Sequence, residues 1–287
     1  MQRKVSILAC AGGQMDGGVL FGNVPQGQWR TWAEPDHLNR VALASRALLV
    51  QQGGRNILVL AGSGALLAPL ARTCSCQPRA RGLLEELASC GVGEADVHLV
   101  LLCHLQARLA ADVRQAIDEG DQPRLLFPNA RYLVGSQHWG RARRPHPRDR
   151  ALFVAQLVNS LEASRRLELI QGGACEWLGP GWYLHVSDGY TPGQLIPQIA
   201  LTGGPLVFAG DLVPGVHWLQ LDVTSGHDRN AESIVEEKEL LLDQLVASKG
   251  RLVFARDPDV AMVRVARDRQ ARYLAYDSHI RLRGLEA

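Results

Sequence analysis

The chain has 287 residues, of which 46% are hydrophobic and 21% are charged. A chain of this length can bury roughly three quarters of its unfolded surface, and its composition excludes a disordered, collagenous or coiled-coil protein. The formal net charge of +2 is too close to zero to indicate a nucleic-acid or membrane partner by bulk electrostatics.

The cysteine pattern and the apolar runs suggest a cellular location. The six cysteines contain no CxxC pair and no regular framework, so disulfide bonds are not expected to hold the fold together. No run of 18 apolar residues occurs, so no membrane span is expected. The short apolar run near the N-terminus favours a buried first strand over a signal peptide, and we expect a cytoplasmic protein.

Short β-rich apolar runs recur along the chain and are bounded by Gly, Pro and Asp, as strands usually are. In chain order, the predicted strands are Val5–Ala9, Ala47–Gln51, Asn56–Ala61, His98–Cys103, Leu167–Ile170, Trp182–Val186, Pro205–Ala209, Arg251–Ala255 and Met262–Ala266. Gly53 and Gly54 predict a hairpin turn between the second and third of these strands.

Helical patterns fall between the strands. Apolar periodicity predicts helices over Arg79–Cys90, Ala151–Leu161 and Asn230–Ser248. In the last of these, Asn230 is a candidate N-cap and Gly250 a candidate stop. The Arg-rich segment Gln137–Arg150 is predicted to be a loop, either a solvated surface or an anion-binding patch. No repeat or low-complexity tract is present, and residues 1–287 are expected to form one domain.

A series of short motifs then follows in order from about residue 14 to residue 260. They are Met15-Asp16-Gly17-Gly18, Leu20-Phe21-Gly22-Asn23-Val24-Pro25, Asn39-Arg40, Gly62-Ser63-Gly64, Leu101-Leu102-Cys103-His104-Leu105, Phe127-Pro128-Asn129-Ala130, Gly189-Tyr190-Thr191-Pro192-Gly193-Gln194, Gly210-Asp211-Leu212 and Phe254 with Asp257-Pro258. The ordered series resembles the lactonase and organophosphate-hydrolase branch of the metallo-β-lactamase superfamily. The resemblance implies an α/β protein with a four-layer αβ/βα sandwich, in which two mixed sheets are flanked by helices and the site lies at one sheet edge.

The resemblance also implies a dinuclear metal site, usually zinc, at positions where this chain departs from the family pattern. In the HxHxDH motif the first histidine survives as His104, whereas Gln106, Arg108 and Leu109 stand at the other three ligand positions. Tyr190 stands at the histidine of the Thr-Pro-Gly loop and Arg256 at the last histidine, while Asp211 remains at the bridging carboxylate.

Two of seven ligands therefore remain. Glutamine is a weak neutral donor, leucine is none, and arginine is a permanent cation. We expect no metal site and no cofactor; a single adventitious metal held by His104 and Asp211 is the alternative.

The substitutions also suggest what fills the site. Arg108 and Arg256 both stand at ligand positions of the metal that Asp211 would bridge, and two guanidinium groups can satisfy one carboxylate. Alternatively, both arginines point to solvent. We expect His104, Gln106, Arg108, Tyr190, Asp211 and Arg256 to line a ligand-binding pocket, and we assign no catalytic residue.

Three functions remain open at this stage. The first is a pseudo-hydrolase without metal that binds a small anionic or polar ligand or a protein partner. The second is a metal-independent enzyme that uses the same pocket for ester or lactone hydrolysis or for a biosynthetic reaction. The third is a purely structural subunit. Since proteins of the resembled family often dimerise, a homodimer is an expectation from analogy alone.

Overall fold

The computed structural model describes residues 3–63, 66–68, 82–107 and 124–286. Its strands in chain order are β1 (Arg3–Asp16), β2 (Arg40–Gln52), β3 (Arg55–Leu60), β4 (Leu67–Ala68), β5 (Val97–Leu102), β6 (Arg124–Leu125), β7 (Arg131–Gly135), β8 (Leu167–Ile170), β9 (Trp182–Ser187), β10 (Gln194–Ile199), β11 (Leu206–Phe208), β12 (Arg251–Val253), β13 (Met262–Arg267), β14 (Tyr273–His279) and β15 (Leu285–Glu286). The helices are α1 (Gly17–Phe21), α2 (Gln26–Trp29), α3 (Leu83–Ala88), α4 (Ser136–Arg143), α5 (Ala155–Ala163) and α6 (Ala231–Ser248). Short 3-10 turns cover Glu94–Asp96, Arg150–Leu152 and Val216–Leu219.

Two mixed sheets organise these strands. The first sheet has the order β15-β1-β2-β3-β5-β7-β8, and the second has the order β14-β13-β12-β11-β10-β9. In the first sheet, β3, β5, β7 and β8 run parallel; in the second, β11 and β12 pair in parallel and the other pairs are antiparallel. A separate two-stranded ribbon joins β4 and β6. The predicted α/β class with two mixed sheets is confirmed.

The two sheets pack face to face through one apolar layer. Leu48, Val59 and Leu101 of the first sheet and Phe208 and Val253 of the second belong to the same buried cluster. Helix packing makes two further buried clusters, one on each outer side of the sandwich. This arrangement brings loops from both sheets together at the sheet ends.

Most predicted elements agree with the structure to within a few residues, but β1 continues to Asp16 and β2 already begins at Arg40, well beyond the predicted Val5–Ala9 and Ala47–Gln51. The Gly53–Gly54 hairpin turn is confirmed, with φ of 54° and 74°. Asn230 caps α6 by accepting a hydrogen bond from the Ser233 N–H at 3.3 Å. At the other end of α6, Lys249 rather than Gly250 takes the left-handed conformation, with φ of 51°. The predicted helix over residues 79–90 is observed as α3, and residues 79–81 lie outside the described part of the chain.

The predicted loop at Gln137–Arg150 is wrong in its first half. Helix α4 covers Ser136–Arg143 and buries His138, Trp139 and Ala142. The charged and proline residues of the segment suggested a loop, but Pro145 and Pro147 follow the helix. The expected helix over 151–161 likewise begins later, at Ala155.

A buried lysine ties α6 to the segment that follows Asp211. Lys238 is fully buried, and its ammonium group donates to the carbonyl oxygens of Trp218, Gln220 and Val223 at 2.8–3.2 Å. Burial lowers the pKa of Lys238 to about 8. The lysine holds the 218–223 main chain against the helix.

None of the helices in the described part of the chain has both the length and the hydropathy that a bilayer span requires.

Candidate functional site

The candidate site lies where three strands end. His104 follows β5 by two residues, whereas Asp211 and Arg256 each follow their strands, β11 and β12, by three residues. Because β11 and β12 are parallel neighbours, their carboxyl ends lie together, and the end of β5 faces them across the sandwich. The site therefore joins the two sheets.

His104, Asp211 and Arg256, here called the Asp211 cluster, form a buried hydrogen-bonded group. Arg256 donates from Nε to Asp211 Oδ1 at 2.8 Å and from Nη2 to Oδ2 at 3.0 Å. His104 Nε2 lies 2.7 Å from Asp211 Oδ2. The Asp211 side chain is fully buried. The expected contact between Arg256 and Asp211 is present, and Arg256 does not point to solvent.

The hydrogen bonds of His104 define its tautomer. The Gln106 N–H donates to His104 Nδ1 at 3.2 Å, so the ring proton lies on Nε2 and is donated to Asp211. Both ring nitrogens of His104 are thus engaged. Since His104 is completely buried, it orients the carboxylate and has no nitrogen left to act as a general base.

Arg46 fixes the main chain on both sides of Arg256. It donates to the carbonyl oxygen of Phe254 at 3.4 Å and also to that of Asp257. In addition, the Ala44 N–H donates to the carbonyl oxygen of Arg256 at 2.9 Å. These contacts from β2 position the guanidinium group of Arg256 over Asp211.

Tyr190 lies in the loop between β9 and β10. Glu237 of α6 holds the start of this loop by accepting hydrogen bonds from Ser187 Oγ at 2.6 Å and from the Asp188 N–H at 2.8 Å. Asp188 in turn accepts from the Gly193 N–H at 2.8 Å. The Tyr190 ring is buried, with its centroid 5.2 Å from that of His104.

His138 joins the loop after β5 to the loop before β10. Its Nε2 accepts from the Leu105 N–H at 2.7 Å, and its Nδ1 donates to the Pro192 carbonyl oxygen at 3.0 Å. Burial, followed by the nearby His104, lowers the pKa of His138 to about 3. His138 is therefore neutral at ordinary pH and acts as a fixed bridge between the two loops.

Two buried glutamines border the Asp211 cluster. Gln106 Nε2 donates to Thr191 Oγ1 at 3.3 Å. The Gln194 side chain lies so close to Gly210 that a Cβ added to this glycine would come within 2.9 Å of Gln194 Nε2. Gln106 Oε1 and both amide atoms of Gln194 have no hydrogen-bond partner among the residues that the structure describes.

Two glycines allow the close approach of these groups. Gly210 has φ of +57°, which a residue with a side chain adopts only with strain. A Cβ at Gly62 would lie 2.8 Å from His104 Cε1 and 2.7 Å from the Gln106 carbonyl oxygen. Gly62 thus serves close packing against His104.

The structure brings five of the six predicted site residues together at the ends of β5, β11 and β12; the sixth, Arg108, lies outside the described residues, as does Leu109. Sequence reasoning missed Arg46, His138, Gln194 and Glu237 as parts of the site. Gln194 had an available signal, because it is the last residue of the Gly189–Gln194 motif that carries the resemblance. The other three carry no motif.

Solved structures with the same architecture include hydrolases. A probable metal-dependent hydrolase from Staphylococcus aureus superposes with a TM-score of 0.78 at 22% identity, covering 97% of this chain and 98% of that one. A hydrolase of the β-lactamase superfamily, AbOPH, gives a TM-score of 0.70 at 19% identity, covering 96% and 94%. The chain has the metallo-β-lactamase fold.

Lactonases share this metallo-β-lactamase fold. AidC, a dizinc quorum-quenching lactonase in complex with its product N-hexanoyl-L-homoserine, has a TM-score of 0.70 at 16% identity, covering 96% of this chain and 94% of AidC. No family model matches the sequence, and no curated protein does either.

The residues of this chain do not fit the dinuclear metal centre that the fold family implies. Arg256 occupies both carboxylate oxygens of Asp211, which a bridging ligand would need for metals. Gln106 and Tyr190 offer only weak neutral oxygens, and a guanidinium cation repels a divalent ion. Within the described ranges, no group of three or more His, Cys, Asp or Glu side chains is placed to hold a metal ion.

Proposed function

We propose that this chain is a metal-free protein of the metallo-β-lactamase fold, which binds a small polar ligand beside the Asp211 cluster and does not hydrolyse it by metal chemistry. The observation that carries the proposal is the two-point contact of the Arg256 guanidinium with Asp211. That contact uses the carboxylate oxygens on which a metal would depend, and it supplies the positive charge that a metal would otherwise bring.

The charges of the described residues support a polar ligand over an anion. Arg256 is balanced by Asp211, and His104 is neutral when its Nδ1 accepts a hydrogen bond. The other residues around the cluster, Gln106 and Tyr190, are uncharged at neutral pH. The Asp211 cluster with Gln106 and Tyr190 therefore carries no net charge that would select an anion, and the Arg46 guanidinium is directed to the main-chain carbonyl oxygens of Phe254 and Asp257.

The alternative of a metal-independent enzyme has less support. Such an enzyme needs a nucleophile or a base in reach of its substrate. His104 has both nitrogens engaged by Gln106 and Asp211, and Arg256 is committed to the same carboxylate. The cluster thus resembles a satisfied structural group more than a reactive one.

The test combines metal content with turnover. The chain is expressed in zinc-supplemented medium, purified without chelator, and analysed for zinc by elemental analysis. It is then assayed against lactones, aryl esters and phosphotriesters with and without chelator. We expect far less than one zinc per chain and no chelator-sensitive turnover.

Two results would overturn the proposal. Close to two zincs per chain, with turnover that a chelator removes, would establish a metal hydrolase. Turnover that resists chelator and falls in Tyr190→Phe would instead establish a metal-independent enzyme.

A further inference from the structure

Two of the glutamines in the site are buried without full hydrogen bonding. Gln106 is 3% exposed and Gln194 is completely buried. Gln106 Oε1, Gln194 Oε1 and Gln194 Nε2 lack a partner within the described ranges. These two side chains are called the amide pair below.

A third buried glutamine shows what a satisfied amide looks like in this protein. Gln52 Oε1 accepts from Arg3 Nε at 2.8 Å and from Trp182 Nε1 at 3.0 Å. Its Nε2 donates to the Leu178 carbonyl oxygen at 2.5 Å. The fold can therefore give a buried amide all its hydrogen-bond partners. The amide pair is as buried as Gln52 but lacks such partners.

Unpartnered buried amides need a physical explanation. A buried polar atom without a partner costs about 1–3 kcal/mol, and nearly all such atoms in native proteins are paired with protein or water. Three of them, on two glutamines that both border the Asp211 cluster, indicate that a polar group binds there.

The positions of the amide pair define where that group would lie. Gln106 is fixed by its hydrogen bond to Thr191 Oγ1. Gln194 packs on Gly210, the residue that precedes Asp211. His138 holds the two loops together, since it bonds Leu105 next to Gln106 and Pro192 two residues before Gln194. The Gln194 N–H also donates to the Thr191 carbonyl oxygen at 3.2 Å, so the loop after β5 and the start of β10 hold the amide pair on either side of Thr191.

The chemistry of the unpartnered atoms defines the class of ligand. Gln194 presents the two N–H donors of its Nε2 and an acceptor, and Gln106 presents an acceptor. A primary carboxamide offers one carbonyl oxygen with two lone pairs and two N–H groups, which match the two N–H donors and the two Oε1 acceptors. A carboxylate has only acceptors, so it would leave the two Oε1 atoms facing its negative charge.

We infer that the site binds an uncharged ligand through a primary carboxamide group, which hydrogen-bonds to Gln194 and Gln106. This inference rests on the proposed function, because it needs a site that is not filled by metals. It names the ligand class of that same site: a neutral amide in place of an anion. The Asp211 cluster lies beside the bound group, and the charge of Asp211 is already neutralised by Arg256.

The test uses a matched pair of probes, propionamide and propionate, which share the same carbon skeleton. Binding to the full chain is measured by the shift in melting temperature and by saturation-transfer NMR. We expect the amide to raise the melting temperature and to bind about tenfold more tightly than the carboxylate, since the latter would leave acceptors unpaired.

Two variants connect the binding to the amide pair. Gln194→Met and Gln106→Leu keep the approximate side-chain volume and remove the amide. We expect each to abolish the preference for propionamide. Without ligand, we expect Gln194→Met to melt at the same temperature as the wild type or higher, because an unpartnered group is removed, whereas Gln52→Met melts lower.

The contrary results are distinct from failure of the proposed function. Equal or tighter binding of propionate, or an unchanged amide preference in Gln194→Met, would overturn the carboxamide inference and leave a metal-free binding site in place. A higher melting temperature of Gln194→Met with no response to any amide would mean that buried water alone satisfies these atoms, and would also overturn it. Only the two turnover results given under the proposed function would overturn that function itself.

Discussion

Both ends of the sandwich carry buried polar groups that join the sheets. The ends differ in how completely these groups are hydrogen-bonded. At the end of the β2–β3 hairpin, Arg3 and Gln52 of the first sheet bond Trp182 and the Ala200 carbonyl oxygen of the second. Both amide atoms of Gln52 and the indole nitrogen of Trp182 have partners there. At the opposite end, the Asp211 cluster is satisfied, while three atoms of the amide pair have no partner among the described residues.

This difference separates a structural joint from a candidate binding site. A closed hydrogen-bond network rigidifies the fold and gives no reason to expect a ligand. A network with unpaired buried atoms is less stable than it could be, and proteins keep such features where function requires them. The distinction would fail if substitutions at the two ends changed the free energy of unfolding in the same way.

The largest expected effect concerns pH and His138 at the open end. The pKa of His138 is lowered from 6.5 to about 3 in the folded chain, so between these values the unfolded state binds a proton that the folded state does not. The contribution of His138 to the free energy of unfolding is therefore fully present above pH 6.5. It is lost as the pH falls toward 3, and the loss from this group is roughly 3–5 kcal/mol. Urea unfolding across this pH range measures the loss.

The matched control for that measurement is His138→Gln. Glutamine can accept from the Leu105 N–H and donate to the Pro192 carbonyl oxygen, as His138 does, but it does not titrate. We expect the variant to show a shallower loss of stability between pH 6.5 and 3. Identical pH profiles would contradict the assignment of His138 as a buried neutral bridge.

Removal of Arg256 is expected to have the next largest effect. Arg256→Leu leaves the buried carboxylate of Asp211 without its cation, and we expect the free energy of unfolding to fall by about 2–4 kcal/mol. The exposed pair of Arg124 and Glu94 provides the control, because Arg124→Leu should cost at most about 1 kcal/mol. Equal losses in urea melts would mean that the Asp211 ion pair is no more important than a surface pair.

A smaller effect is expected at the hairpin end. Gln52→Met leaves the Trp182 and Leu178 groups without their partner and should lower the free energy of unfolding by about 1–3 kcal/mol. The neighbouring Gln51, half-buried and bonded through its side chain to Asn56 at 3.1 Å, is the control; Gln51→Met should stay within about 0.5 kcal/mol. If Gln52→Met leaves the free energy of unfolding unchanged, the two ends of the sandwich do not differ in the way described.

The sequence supported much of the fold and part of the site. Strands with continuous apolar runs, such as β5 and β12, were predictable because buried strands read as unbroken hydrophobic segments. Strand β10 was missed because Pro197 lies within it, and proline argues against a strand. Strand β14 was missed because Leu274 and Tyr276 point outward, where polar side chains were expected.

The site itself was predictable only where a motif carried it. His104, Asp211 and Arg256 stand at positions of a known pattern, and the charge of Arg256 next to a retained carboxylate predicted their contact. Arg46 acts through main-chain carbonyl groups, and His138 reaches its partners from α4. Such contacts depend on how the elements pack in three dimensions. Residues that lie outside a recognisable motif cannot be assigned to them from a single sequence.

The most direct test of the central claim, that a guanidinium group takes the place of a metal at Asp211, is a double-mutant cycle. Urea unfolding is measured for the wild type, Arg256→Leu, Asp211→Asn and the double variant. Because each single change leaves a buried group without its partner, the double change should cost less than the sum, with a coupling of about 1 kcal/mol or more. Additive losses would show that Arg256 and Asp211 do not interact, and would contradict the account.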